Sequence, residues 1–237
     1  MNKWRLLDTG PNIGASNMAI DEELLAGAQA GEQVPVLRFY TWDPAAVSIG
    51  RFQKINEAVN AGACKQYGID IVRRVTGGRA VLHNRELTYS IVSRTDDPLF
   101  PANVLDTYKL IAAALLQGLK NLGIPAEMVS RSHRHAGLVK KSTKDPACFS
   151  SPSWYEILVH GRKIIGSAQR RLSNAFLQHG SILMDYDAAL EAEVIPGGSG
   201  DVVTSINREL GGNVSLEEVK HAFVKGFSEA LSIDFKT

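Results

Sequence analysis

The sequence predicts an α/β (α+β) domain, a mixed β-sheet flanked by helices. Three observations carry that expectation. Strand-like and helix-like segments alternate irregularly along the 237 residues. One long run, Val104 to Leu122, has the apolar spacing of a helix. Hydrophobic residues make up 44% and charged residues 22%, a globular balance in a chain long enough for a real core. With no internal repeat or low-complexity tract, residues 1–237 are expected to form a single domain, with 201–237 a small C-terminal helical segment of it.

The elements follow in order. Trp4–Leu7 reads as a short strand and Ser16 to Ala28 as a helix. Val36–Tyr40 and Ala46–Ile49 read as strands, with Asp43-Pro44 turning the chain between them. A helix near Val59–Tyr67 is expected to end at Gly68. IDIVRRVTGGRAVLHNRELTYSIV reads as a strand, a glycine turn and more strand. In its last part Leu87, Tyr89 and Ile91 alternate with Thr88 and Ser90, the period of a half-buried strand. Val104, Tyr108, Ile111, Leu115, Leu119 and Leu122 form one helical stripe, closed by Gly123. Residues 130–147 are polar and irregular and read as a mobile surface loop. A hairpin is expected to turn at His160-Gly161, and a strand to run through Phe176–Met184. Pro196–Asp201, PGGSGD, reads as a flexible connection. Ser215 and Glu218 have capping-box spacing and open a last helix with Val219, Ala222, Phe223, Phe227, Ala230 and Leu231 on its stripe.

Composition narrows the function classes. A formal net charge of +1 disfavours a nucleic-acid binder. The longest apolar run, Leu110 to Leu116, is far short of the ~20 residues of a membrane span. The start, MNKWRLLDTG, has no apolar stretch of a secretory signal, and the two cysteines, Cys64 and Cys148, lie far apart. A reduced, cytoplasmic protein is expected. Phosphate-loop, dinucleotide, HExxH and GxSxG motifs are absent, so any catalysis needs another constellation.

Three segments are candidates. In RRVTGGRAV, Arg73 to Val81, Gly77 and Gly78 allow a tight turn whose N–H groups can hold an anion or oxyanion, with Arg73, Arg74 and Arg79 adding charge. Composition alone favours the plainer reading, a hairpin with solvated arginines. In KIIGSAQ, Lys163 enters a strand followed by Gly166, Ser167 and Ala168, whose small side chains let a ligand lie close. Lys163 then holds a carbonyl or carboxylate, or is simply an exposed strand lysine. Cys148 follows a basic loop, where a thiolate nucleophile is favoured, although a lone cysteine is more often a small buried hydrophobe. Cys64 reads as structural. His133 and His135 are two apart with no acidic or cysteine partner in register, so no metal site is expected. His83 and His179 stand beside the glycine turn and before Gly180, and line a site or a bend.

Taken together, RRVTGGRAVLH with ELTYS, then CFSSPSWYE, KIIGSAQRR and QHGSIL, resemble in order and spacing the superfamily of lipoate–protein ligases, biotin ligases and octanoyltransferases. The opening WRLLDTGPNIGASNMAIDEELL and WDPAAVSIGRFQ are similar as well, so the resemblance spans roughly residues 3 to 232. Within the superfamily the sequence looks most like the LipM-type octanoyltransferases. That resemblance implies Cys148 as the acyl-carrying nucleophile and Lys163 as the lysine at the acyl carbonyl. It also implies an acyl pocket at Arg73, Thr76, Gly77, Gly78, Arg79, His83, Gly166, Ser167, Ala168, His179 and Gly180. Octanoyl-acyl carrier protein is the implied donor and a lipoyl-domain protein, or glycine-cleavage H protein, the implied acceptor, for a monomer that needs no cofactor. Arg79 stands where ATP-dependent ligases more typically have a third glycine, and the chain ends at Thr237 without an accessory domain, both favouring the transferase. The rivals are an ATP-dependent lipoate–protein ligase, an octanoyl amidotransferase between lipoyl proteins and a non-catalytic acyl-binding module. Arg131, Arg134, Lys140, Lys141 and Lys144 precede Cys148 and read either as a steering surface for acidic carrier domains or as a solvated loop.

Overall fold

The computed structural model describes residues 2–32, 34–128 and 156–236. Cys148, and with it Arg131, His133, Arg134, His135, Lys140, Lys141 and Lys144, lies outside the described residues, as does the expected loop at 130–147.

Strand β1 (Asn2–Asn12) leads into helix α1 (Gly14–Ala30), which ends where Gly31 turns left-handed at φ 78°. Strands β2 (Val36–Trp42) and β3 (Ala46–Ile49) follow, joined through a cis Asp43-Pro44 bond. The helix expected near Val59–Tyr67 is two: α2 (Ile55–Ala58) and α3 (Ala61–Gln66). Asn60 divides them by accepting the Ala63 N–H as a new N-cap. Strands β4 (Asp70–Arg73), β5 (Val81–His83) and β6 (Glu86–Arg94) precede helix α4 (Val104–Asn121), capped by Asn103. Beyond β7 (Glu127–Met128), strands β8 (Ile157–Val159) and β9 (Arg162–Arg171) make the expected hairpin. Its two turn residues, His160 and Gly161, have φ of 49° and 75°, which suits a two-residue turn. Then come β10 (Ala175–Leu183), α5 (Ala188–Val194), α6 (Ile206–Leu210), α7 (Leu216–Leu231) and β11 (Ile233–Lys236).

Eight strands form one mixed sheet in the order β11-β1-β2-β6-β10-β9-β8-β7, and β4-β3-β5 form a second. The mixed sheet flanked by helices is as expected. One face of the large sheet packs Trp4, Phe39, Tyr89, Ile91 and Phe176 against Ile111 and Leu115 of α4 and Phe223 and Phe227 of α7. On the other face, Leu24, Leu25 and Ala28 of α1 meet Val36, Val92 and Leu177. The reading of β6 as half-buried does not hold. It sits between β2 and β10 with helices on both sides, so Thr88 and Ser90 are as buried as Leu87 and Tyr89. The segment at Pro196–Asp201 is pinned as well: the Ser199 N–H donates to Glu191 at 2.6 Å, and Tyr186 caps the same carboxylate at 2.7 Å. The capping box of Ser215 and Glu218 is present, and β11 adds to the large sheet parallel to β1.

Candidate active site

The α1 face of the large sheet and the small sheet together wall a narrow pocket with a free volume of about 30 Å³, room for roughly one or two waters. Met18 of α1, Tyr40 and Trp42 of β2, Ser48 of β3 and Thr88 of β6 contribute to it. So do Val81 and His83 of β5, Gly166, Ser167 and Ala168 of β9, and His179, Gly180 and Ser181 of β10. Arg74 enters from the turn after β4. Of the expected residues, His83, Gly166, Ser167, Ala168, His179 and Gly180 are therefore brought together.

Pairing explains why small residues stand there. Gly180 sits opposite Ser167 in the ladder, and a Cβ on it would lie 2.4 Å from Gly166 O and 2.8 Å from the Tyr89 ring. Only glycine keeps β9 and β10 this close to Tyr89.

Two buried carboxylate–histidine–hydroxyl chains meet at the pocket. In the first, Asp21 of α1 accepts from Arg38 (2.8 Å), Tyr40 (3.0 Å), Ser90 (2.9 Å) and His179 Nδ1 (3.0 Å). With Nδ1–H given to Asp21, His179 Nε2 accepts the Thr76 hydroxyl at 2.7 Å. Burial alone would raise the Asp21 pKa. The hydrogen bond from His179, then the charge of Arg38 and the Ser90 hydroxyl, reverse that and hold it below the usual range. Burial pushes the His179 pKa down, only partly opposed by Asp21. In the second chain Arg74 donates to Ser48 Oγ at 3.0 Å, so the Ser48 hydroxyl donates to His83 Nε2 at 2.7 Å. His83 Nδ1–H then reaches Glu86 Oε1 at 2.8 Å. Trp42 stacks on His83 with ring centroids 4.1 Å apart, and its Nε1–H donates to Thr88 and Glu86. Burial would raise the Glu86 pKa as well, but the hydrogen bond from His83, with hydroxyls of Ser181 and Thr88, brings it below normal.

The arginine–glycine turn is set mostly by Arg74. Its guanidinium donates to Gly77 O at 2.8 Å, Arg79 O at 2.7 Å and Ser48 O at 2.9 Å. Gly78, at φ 93°, packs so tightly that a Cβ on Gly50 would meet Gly78 O at 2.0 Å. Thr76 reaches the site through His179. Arg73, Gly77, Gly78 and Arg79 shape the turn without lining the pocket, and Arg73 points outward, its Nη1 donating to Gly50 O, Arg51 O and Gln53 O.

Lys163 is not an exposed strand lysine. It is 1% exposed, and its Nζ donates to Glu156 Oε1 at 2.6 Å, with Glu156 as deeply buried. A bulge in β9 aims it. Ile157 pairs with Ile165 and Leu158 with Lys163, so Ile164 is the extra residue. Ile164 and Ile165 both join the α4 core, and Lys163 turns with Leu158 to the other face, the one carrying Gly166 and Ala168. It does not line the pocket itself.

Sequence reasoning did not single out Asp21, Arg38, Tyr40, Trp42, Ser48, Glu86 or Glu156 for the site. The available signal was a charged residue inside strand β2, Arg38, and a second one at the start of β6, Glu86, neither of which has a place in an apolar core without a partner. Among the described residues no group of His, Cys, Asp and Glu could hold a metal ion, and no helix is long and apolar enough to cross a membrane.

Fold and pocket define an α+β domain with a pocket between two sheets. The chain belongs to the family of the lipoyl protein ligase A/B catalytic domain, whose model matches residues 14–228. It is 43% identical to octanoyltransferase LipM of Carboxydothermus hydrogenoformans, with 99% of this chain and 89% of that protein covered. With the LipM proteins of Brevibacillus brevis and Bacillus subtilis identity is 42% and 40%, covering 99% and 97% of this chain and 89% and 87% of theirs. Among solved structures, a lipoate–protein ligase A bound with ATP is 29% identical at a TM-score of 0.82, over 99% of this chain and 87% of that one. A putative lipoate protein ligase from T. acidophilum with bound lipoic acid is 29% identical at a TM-score of 0.78, over 99% and 88%.

Proposed function

We propose that this chain is an octanoyltransferase of lipoate assembly, a cytoplasmic monomer that carries the octanoyl group as a thioester on Cys148. The donor is octanoyl-acyl carrier protein, and the acceptor is a lysine of a lipoyl-domain protein such as glycine-cleavage H protein. The observation that carries this reading is identity of 40% and more to octanoyltransferases over nearly the whole chain. The apolar walls that Met18, Trp42 and Val81 give the pocket support it, because an eight-carbon chain needs a partly apolar seat.

In the first half-reaction the Cys148 thiolate attacks the donor thioester. A new C–S bond forms, the donor thiol leaves, and one thioester replaces another at little free-energy cost. In the second, the acceptor amine attacks, an amide forms, the Cys148 sulfur leaves, and the proton lost by the amine returns to it. Lys163 supplies positive charge to the thiolate and the tetrahedral oxyanion, with Glu156 fixing its ammonium in place. The His83 and His179 chains keep the pocket's hydroxyls and the arginine–glycine turn in one arrangement.

Likeness to the ATP-bound ligase favours a second reading, ATP-dependent attachment of free lipoate. Mass spectrometry of the intact protein after mixing with octanoyl-acyl carrier protein, without ATP, separates the two. One octanoyl adduct on Cys148, lost to an added lipoyl domain and absent in Cys148→Ser, is expected. Acceptor labelling that instead requires ATP and free lipoate, and persists in Cys148→Ser, would make it a ligase.

A further inference from the structure

Phe52 is 85% exposed, the most exposed large hydrophobic side chain among the described residues, and Ile55, three residues on, is 48% exposed. A solitary exposed apolar residue needs no explanation. This one stands on a backbone that is unusually well held. Arg73 donates one Nη1 to three carbonyls of the segment, at 3.0, 3.0 and 2.8 Å. The Gln53 side chain takes the Gly50 N–H at 3.0 Å, and the Gln53 N–H closes the turn onto Gly50 O at 3.0 Å. The Arg51 N–H donates to Thr76 O at 2.9 Å, tying the knob to the turn whose threonine holds His179. An aromatic side chain presented on a fixed loop is what a binding surface needs, since little ordering remains to be done on contact. Exposed cations stand beside it: Arg51, whose guanidinium lies 5.5 Å from the Phe52 ring centroid, Arg73, and Lys54, which pairs with Glu57 at 3.0 Å.

Position selects the partner. Phe52 is four residues from Ser48, a pocket wall, so their Cα atoms are at most ~14 Å apart. A donor on a long prosthetic arm can dock far from the reaction. A lysine, with its stem of four carbons, cannot, so the domain that bears it must settle at the pocket's edge. We infer that Phe52 and Ile55, ringed by Arg51 and Lys54, dock the acceptor: a folded domain with acidic and apolar side chains around its target lysine. This rests on the acyl-transfer reading above.

The test uses the full chain and an apo lipoyl domain. Calorimetric titration of the unacylated protein with that domain should show binding that Phe52→Ala weakens by roughly tenfold or more. Arg51→Glu should weaken it too and flatten its salt dependence. Acyl-enzyme formation from a small octanoyl thioester should stay at the wild-type rate in both variants, which also shows that they fold. Equal binding by wild type and Phe52→Ala overturns the inference, as does no binding by wild type, an equal loss of acyl-enzyme formation, or a wild-type dimer that Phe52→Ala splits into monomers. Failure of the transferase reading shows separately, as wild type that never acquires the octanoyl group.

Discussion

At Lys163 a single cation is held 2.6 Å from a carboxylate, both out of water. Such a pair is weak evidence for stability as a whole, but removing one member is costly, about 3–5 kcal/mol, because the other charge stays buried. Lys163→Ala should therefore lose both transfer and stability by that amount. Joint replacement, Lys163→Met with Glu156→Leu, should recover most of the stability in urea unfolding while acyl-enzyme formation stays absent. If the double variant transfers octanoyl normally, Lys163 is structural. The lysine was visible in the sequence. Its partner was not, because the bulge that turns Lys163 toward Glu156 is one that no periodicity announces. Likewise Asp21 and His179 are 158 positions apart, and only the sheet brings them together.

Helices α4 and α7 cross where two glycines meet. A Cβ on Gly226 would lie 2.4 Å from Gly118 N and 2.7 Å from Gly118 Cα. Backbone cannot yield as a flexible side chain would, so Gly226→Ala must push the helices apart. Overpacking of that kind costs about 1–3 kcal/mol, more than the ~1 kcal/mol that alanine gains in helix propensity. A fall of several degrees in the thermal midpoint is expected, at ~2–4 °C per kcal/mol for a chain of this size. Gly212→Ala, with open space around the added methyl, should change little. Both helices were legible from their stripes, since amphipathic spacing is a local property. Strand β11 was not: Ile233–Lys236 is a strand only because β1, at the other end of the chain, offers its edge.

The pocket belongs to the whole molecule, with walls drawn from residues 18 to 181. Its glycines, small residues and histidines were readable as candidates, but the second sheet that closes it was not, because β3, β4 and β5 are too short to show how they pair. Closing the pocket puts Asp21, Glu86 and His179 inside, and stability becomes a function of pH. Asp21 and Glu86 have folded pKa values below their unfolded ones, so the stability they contribute is present above about pH 4 and is lost as pH falls below it. His179 is also depressed when folded. Below about pH 6.5 the unfolded chain takes up a proton that the folded chain refuses, and stability starts to fall there. All three shifts have the same sign, so the thermal midpoint should be flat from pH 8 to 7. It should decline from about pH 6.5 and drop steeply below about pH 4. His179→Gln should lower the plateau by breaking the Asp21 and Thr76 bonds, yet remove its own share of the upper decline. Melting curves of wild type and variant across this range test it, and a variant whose midpoint falls with wild-type slope between pH 6.5 and 5 would show that His179 does not govern that limb.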